Sequence, residues 1–154
     1  MKDIKVLLVD DEEEFVKTLS ERIKTREMGS EVAFNGKEAL SKLEEKLPDV
    51  MILDFKMPDI DGLQILEKVK KAYPGVQVVM LTAHGTAEIE SKARELGAFD
   101  YLQKPVNIET LTKVIEKAYT YKQKFENTMM AATFAEAGDF ESAKKLSEKK
   151  KKKK

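Results

Sequence analysis

The chain has 154 residues, 42% hydrophobic and 36% charged, a balance that supports one domain with a real core and gives no compositional case for wholesale disorder. It contains no Cys, which excludes disulfides, thiolate catalysis and Cys-based zinc sites and fits a cytoplasmic location. The formal net charge of zero hides an asymmetry: positions 144 to 154 hold eight Lys and one Glu, so of the chain's 28 basic and 28 acidic residues positions 1 to 143 keep 20 and 27.

No apolar run approaches the roughly 18 residues of a membrane span, and no basic-then-apolar leader follows Met1, so neither membrane insertion nor secretion is expected. The terminal lysines lack the aromatic residues or Arg that specific readout needs. Residues 150–154 are therefore expected to be a solvated, disordered tail.

Ile4 to Val9 is nearly continuous in apolar, largely β-branched residues, the pattern of a strand buried on both faces. It ends in Asp10-Asp11. Phe15, Leu19 and Ile23 then recur at a spacing of four, predicting an amphipathic helix with Asp11 as its cap and Glu12, Glu13 and Glu14 in its first turn. Ser30 to Phe34 is a weaker strand preceded by Gly29. Asn35-Gly36 opens a second helix carrying Ala39, Leu40, Leu43 and Leu47 as far as Pro48.

Asp49 to Asp54 predicts a third strand and Leu63 to Tyr73 a third helix, with Leu63, Ile65, Leu66 and Val69 inward and Pro74-Gly75 as its stop. Val76 to Leu81 predicts a fourth buried strand ending in Thr82-Ala83. A more polar helix follows from Thr86 to Leu96, closed by Gly97, and a short strand from Phe99 to Leu102 runs into Lys104-Pro105. From Asn107, Ile108, Leu111, Val114, Ile115, Ala118 and Tyr119 mark a fifth helix. Five strands alternating with five helices predict an α/β, flavodoxin-like fold: a parallel sheet with helices on both faces.

In such folds ligands bind beyond the carboxyl ends of the strands. That rule gathers Asp10, Asp11, Asp54, Thr82 and Lys104 at one edge. Asp54 alone reads equally well as the start of a turn; the company it keeps changes the reading. Converging carboxylates repel one another unless a cation sits among them, and a hard divalent ion such as Mg²⁺, which keeps waters and takes few protein oxygens, suits a site that receives a phosphoryl group. Lys104 supplies a point charge for phosphoryl oxygens, the Thr82 hydroxyl a hydrogen bond, and Asp54 a nucleophilic carboxylate.

The combination of VDD after the first strand, Asp54 followed by Met57-Pro58 and Asp61-Gly62, LTA containing Thr82, and Tyr101 followed by Lys104-Pro105 resembles the receiver domain of two-component response regulators. The resemblance runs from about Lys5 to Lys122. It implies strand order 2-1-3-4-5, Asp54 as phosphoacceptor, and Mg²⁺ held by Asp11 directly, Asp10 through water, Asp54, and the Lys56 backbone carbonyl. It further implies Thr82 and Lys104 on the phosphoryl group, Tyr101 as an aromatic that turns inward, and a cis Lys104-Pro105 bond. Phosphorylation would repack a protein-interaction surface on the fourth helix, fifth strand and fifth helix. The implied partners are a histidine kinase or phosphotransfer protein and a downstream protein target, with the chain a monomer or a phosphorylation-dependent dimer. The family varies at Lys56 and at His84, the chain's one His, so both are candidates for setting signal lifetime, although an incidental exposed His84 is the simpler reading. Gly29 and Ser30 depart from the usual apolar second strand.

Residues 1–122 are thus expected to form the receiver and 123–149 a helical extension: a helix from Phe125 to Ala137, continuous with or following the fifth, a break at Gly138-Asp139, and another from Phe140 to about Lys149. The extension resembles one helix-turn-helix of a tetratricopeptide-type repeat, too little for an array, so Met129, Met130, Phe134 and Phe140 are expected to pack on the receiver or another chain. No basic recognition helix appears, so DNA binding is not expected. Two other classes compete. An aspartyl-phosphate phosphatase of haloacid-dehalogenase type needs a second Asp two residues beyond its nucleophile at the first strand's end, where this chain has Asp10-Asp11-Glu12. A pseudo-receiver would not need the complete set Asp10, Asp11, Asp54, Thr82 and Lys104.

Overall fold

The computed structural model describes residues 3–136. The chain divides into two units, 1–119 and 120–154. Ten elements follow in order: β1 (Lys5–Val9), α1 (Glu13–Lys24), β2 (Gly29–Ala33), α2 (Gly36–Glu45), β3 (Val50–Leu53), α3 (Gly62–Ala72), β4 (Gln77–Thr82), α4 (Ala87–Glu95), β5 (Asp100–Gln103) and α5 (Ile108–Glu136). The strands pair in parallel in the order β2-β1-β3-β4-β5.

Alternation along each central strand divides the core between the faces of the sheet. Leu7, Val9, Met51, Leu53, Val78 and Met80 point to one face, against Ala39 and Leu43 of α2, Ile65, Leu66 and Val69 of α3 and Ala93 of α4. Val6, Leu8, Val50, Ile52, Val79 and Leu81 point to the other, against Val16, Leu19 and Ile23 of α1 and Leu111, Ile115 and Ala118 of α5. This is why β1, β3 and β4 read as unbroken apolar runs: both sides of each strand are covered. Burial of each large aliphatic side chain contributes about 1.5–3 kcal/mol.

Local details differ from the sequence expectations or add to them: the second helix ends at Glu45 and leaves Leu47, expected on its inner stripe, 48% exposed. Asp11 does not cap α1: Glu12 is the N-cap residue, with no side-chain cap bond, and the Asp10 carboxylate takes the Glu12 N–H at 2.9 Å. The second strand begins at Gly29, and its unusual Ser30 is matched, because its hydroxyl lies 2.7 Å from that of buried Ser20 on α1. On the open edge of that strand, Lys42 Nζ donates to the Val32 carbonyl at 2.5 Å, a charged cover of the kind that keeps edge strands from pairing with other chains.

The fifth helix runs without interruption to Glu136, taking in most of the segment expected as a helix from Phe125. Met129 and Met130 are about half exposed. The expected break at Gly138-Asp139, the helix from Phe140 and the tail at 150–154 lie outside the described residues, as does the side chain of Phe134.

Candidate functional site

The ladder continues one step past the strands and fixes the site residues by their own backbones. Asp10 N–H donates to the Ala33 carbonyl at 3.1 Å, Asp54 N–H to Val9 at 3.0 Å, and Lys104 N–H to Thr82 at 3.1 Å. Asp10, Asp54 and Thr82 are all buried there. Beyond Asp54 the chain must turn sharply into α3, and Gly62 makes that possible. A Cβ at Gly62 would lie 2.4 Å from the Asp54 carbonyl oxygen and 2.7 Å from Phe55 Cα, both backbone atoms. Asp61 caps α3 through the Gln64 N–H at 2.9 Å. Asp59, in the same loop, accepts the Gly36 and Lys37 N–H groups, each at 2.9 Å, and so ties the loop to the start of α2.

Lys104 gathers the acids. Its Nζ lies 2.6 Å from Asp10 Oδ2, 3.1 Å from Glu12 Oε1 and 3.6 Å from Asp54 Oδ2, and 4.3 Å from the centroid of the Phe15 ring. Burial pushes the Asp10 carboxyl above its ordinary range, and the hydrogen bonds from Lys104 and the Glu12 N–H only partly offset it. For Lys104 burial disfavours the charge, yet the hydrogen bond to Asp10 and the charges of Asp10 and Asp54 outweigh it and raise the ammonium above its usual value.

Carboxylate oxygens of Asp10, Glu12 and Asp54 all lie within 4.8 Å of one another. Asp54 is 2% exposed, and its Oδ1 has no hydrogen-bond partner in the protein. An orphaned carboxylate oxygen among other carboxylates is a donor set for a hard cation, so these residues fit Mg²⁺. Asp11 is exposed and outside this trio; it lines an open cavity of about 480 Å³ together with Glu12, Asp54, Lys56, Met57, Pro58 and His84.

Thr82 is fully buried, and its Oγ1 accepts the His84 N–H at 3.1 Å. Tyr101 is buried to 7% exposure, its phenol raised above the ordinary value by burial and then by the charges of Glu90 and Asp54. The Lys104–Pro105 bond is cis. Of the residues singled out in the sequence, Asp10, Asp54 and Lys104 meet directly, while Asp11, Lys56 and His84 share the cavity with Asp54. Sequence reasoning missed Glu12 and Phe15 as site residues. Both carried only an α1 signal, first-turn acid and apolar stripe, and their contacts to Lys104 span about ninety positions of chain.

A doubly wound sheet bearing buried acids and a lysine at its carboxyl edge places the protein among the receiver-type α/β modules of signalling proteins. The family model described as the response regulator receiver domain matches residues 6–116, and the chain belongs to that family. It is 38% identical over 120 residues to a Rickettsia felis protein described as an NtrX-like response regulator, covering 77% of this chain and 25% of that one. It is 39% identical over 89 residues to the DNA-binding transcriptional regulator NtrC of Salmonella typhimurium, covering 58% of this chain and 19% of that one. Among solved structures, the CheY-like receiver domain protein of Methanospirillum hungatei superposes with a TM-score of 0.77 at 28% identity, covering 80% of this chain and 98% of that one.

The chain thus spans about a quarter or less of the length of these curated relatives. The expectation against DNA binding finds no support here, because NtrC is a DNA-binding regulator. The absent recognition helix described only these 154 residues. No helix among the described residues is long and apolar enough to cross a membrane.

Proposed function

We propose that the chain is a phosphoacceptor module, not an enzyme acting on an external substrate, and that Asp54 receives a phosphoryl group from a histidine kinase or phosphotransfer protein. The observation that carries this reading is the Asp54 carboxylate: buried, with one oxygen unpartnered, 3.6 Å from Lys104 and lining an open cavity. An Asp54 oxygen forms the new O–P bond as the P–N bond to the donor imidazole breaks, and the imidazole nitrogen leaves with the electron pair and takes up a proton.

Asp10, Asp54, Glu12 or Asp11, and the Lys56 carbonyl would hold Mg²⁺, which when bound offsets the negative charge of the incoming phosphoryl oxygens. Lys104 then shifts part of its contact from Asp10 and Glu12 to a phosphoryl oxygen, and Thr82 gives up the His84 N–H to donate its hydroxyl to another. Tyr101 reports that movement to the surface formed by α4, β5 and α5, the face offered to a downstream protein or, in a phosphorylation-dependent dimer, to a second copy. Lys56 and His84, at the cavity wall, set the lifetime of the phosphoryl group by admitting or blocking water; alanine at both positions with an unchanged dephosphorylation rate would remove that role. Residues 1–122 form the receiver in this reading and 123–149 its extension.

The test is incubation with Mg²⁺ and acetyl phosphate followed by intact mass. Wild type gains one base-labile phosphate and Asp54→Asn gains none. No gain in wild type, or equal gain in both, ends the proposal.

A further inference from the structure

Tyr101 sits on β5 opposite Met80, and its hydroxyl is buried without a hydrogen-bond partner. The group ends against Gly85, in the loop between β4 and α4. A Cβ built on Gly85 falls 1.5 Å from the Tyr101 hydroxyl oxygen, 2.7 Å from its Cζ and 3.1 Å from Thr82 Cγ2. Real side-chain carbons do not approach that closely, so the ring and a residue larger than glycine cannot occupy this space together.

The backbone offers no other reason for glycine at this position. Gly97, which closes α4, has a φ of +100 and needs the freedom; Gly85 is not among the positive-φ residues. Its missing side chain is used for the aromatic ring. A tyrosine that served only as core filling would be expected to satisfy its hydroxyl, since nearly all buried polar groups find a partner. Here the hydroxyl has no partner in the protein, and what fixes its position is the space left at Gly85.

We infer that Gly85 is a positioning residue for Tyr101: the absence of a side chain at 85 admits the ring beside Thr82, and any side chain there holds it outside. The inference deepens the proposed switch, since residue 85 sets how much of the protein has Tyr101 inward before any phosphoryl group arrives.

The experiment uses the full chain labelled with 3-fluorotyrosine, in EDTA and without phosphodonor. The four tyrosine ¹⁹F signals are assigned by single Tyr→Phe variants, and exposure is read from relaxation by the neutral radical TEMPOL. In wild type the Tyr101 signal is protected. In Gly85→Ala it relaxes like that of Tyr121, which is 52% exposed, while the amide spectrum keeps its dispersion. A Tyr101 signal as protected in Gly85→Ala as in wild type overturns the inference. A second measurement stands if that variant folds poorly: the drop in urea midpoint caused by Gly85→Ala is largely abolished in a Tyr101→Leu background. An equal drop in both backgrounds means that Gly85 acts independently of Tyr101 and also overturns it. Neither readout involves phosphate, so failure of the phosphoacceptor reading leaves both interpretable.

Discussion

Replacing Asp54, the proposed phosphoacceptor, should stabilise the metal-free protein. Asp54 has Asp10 and Glu12 carboxylates within 4.8 Å and the Lys104 ammonium at 3.6 Å. At an effective dielectric near 20, a unit charge at 4.8 Å interacts by roughly 3.5 kcal/mol and one at 3.6 Å by roughly 4.6 kcal/mol. The Glu12 side chain is 55% exposed, so its repulsion is largely screened and the charge terms come close to cancelling. What remains is desolvation: a carboxylate at 2% exposure with an unpartnered oxygen costs more to bury than the amide of Asn. Asp54→Asn should therefore gain about 1–2 kcal/mol in EDTA at low salt. For a chain of this size that is a melting temperature about 2–8 °C higher. Mg²⁺ should reverse the ranking, because at a hundredfold excess over its Kd a bound ion adds about 2.7 kcal/mol to the protein that holds it, and the Asn variant lacks one of the proposed ligands. Paired thermal melts with EDTA and with Mg²⁺ measure both effects. An Asn variant melting at or below wild type in EDTA would refute the argument that the site is a reservoir of stored desolvation cost.

Lys104→Met removes the cation shared by buried Asp10 and Asp54 and should cost about 3–5 kcal/mol by urea denaturation in EDTA; a loss under 1 kcal/mol would mean solvent already compensates those acids. Gly62→Ala drives a Cβ into Asp54 and Phe55 backbone and should cost at least about 2 kcal/mol, with lowered Mg²⁺ affinity by calorimetry. Asp59→Ala deletes the acceptor of two α2 N–H groups and should cost about 1 kcal/mol at pH 7. Those hydrogen bonds depress the Asp59 carboxyl, so its contribution is complete above the ordinary value of 3.8 and is lost as pH falls through the lower folded value. The urea midpoints of wild type and Asp59→Ala should accordingly converge in strong acid; a gap that widens there would contradict the assignment. Tyr101→Phe removes an orphaned hydroxyl and should stabilise the protein by about 1 kcal/mol, read from the same denaturation curves.

The sheet and most of the site were legible because their signals are local. A strand covered on both faces must be apolar throughout, so β1, β3 and β4 declared themselves, and the rule that chemistry lies past their carboxyl ends brought Asp10, Asp54 and Lys104 together. What could not be read arises from contacts between distant segments. Ser30 looked like a flaw in β2 until Ser20 supplied its partner from α1. Glu12 looked like a helix-start acid, yet its side chain turns to Lys104, and the cap role assigned to Asp11 gave way because Asp10 takes the Glu12 N–H. Gly85 carried no signal, since nothing in the sequence places it against Tyr101.

These contacts also divide the domain into a fixed part and a yielding one. Asp10, Asp54 and Lys104 hang from the last rungs of the sheet by backbone hydrogen bonds, so the proposed acceptor and the lysine beside it hold their places. On the other side of Thr82 the restraints are few. The helix α4 buries Ala93 alone, where α3 buries Gly62, Ile65, Leu66 and Val69, and it starts from a cap at Thr86 next to the Gly85 seat. Regions with few buried apolar contacts open at low free energy. In the proposed switch, a charge added at Asp54 would meet a rigid floor of strands and a loosely held helix, so the displacement would run outward through Thr82, residue 85 and Tyr101 toward α4. Filling the underside of α4 by Ala93→Met, at its one fully buried position, would test this directly: if the outer face is the yielding part, the larger side chain should alter the Tyr101 equilibrium more than it alters Mg²⁺ affinity.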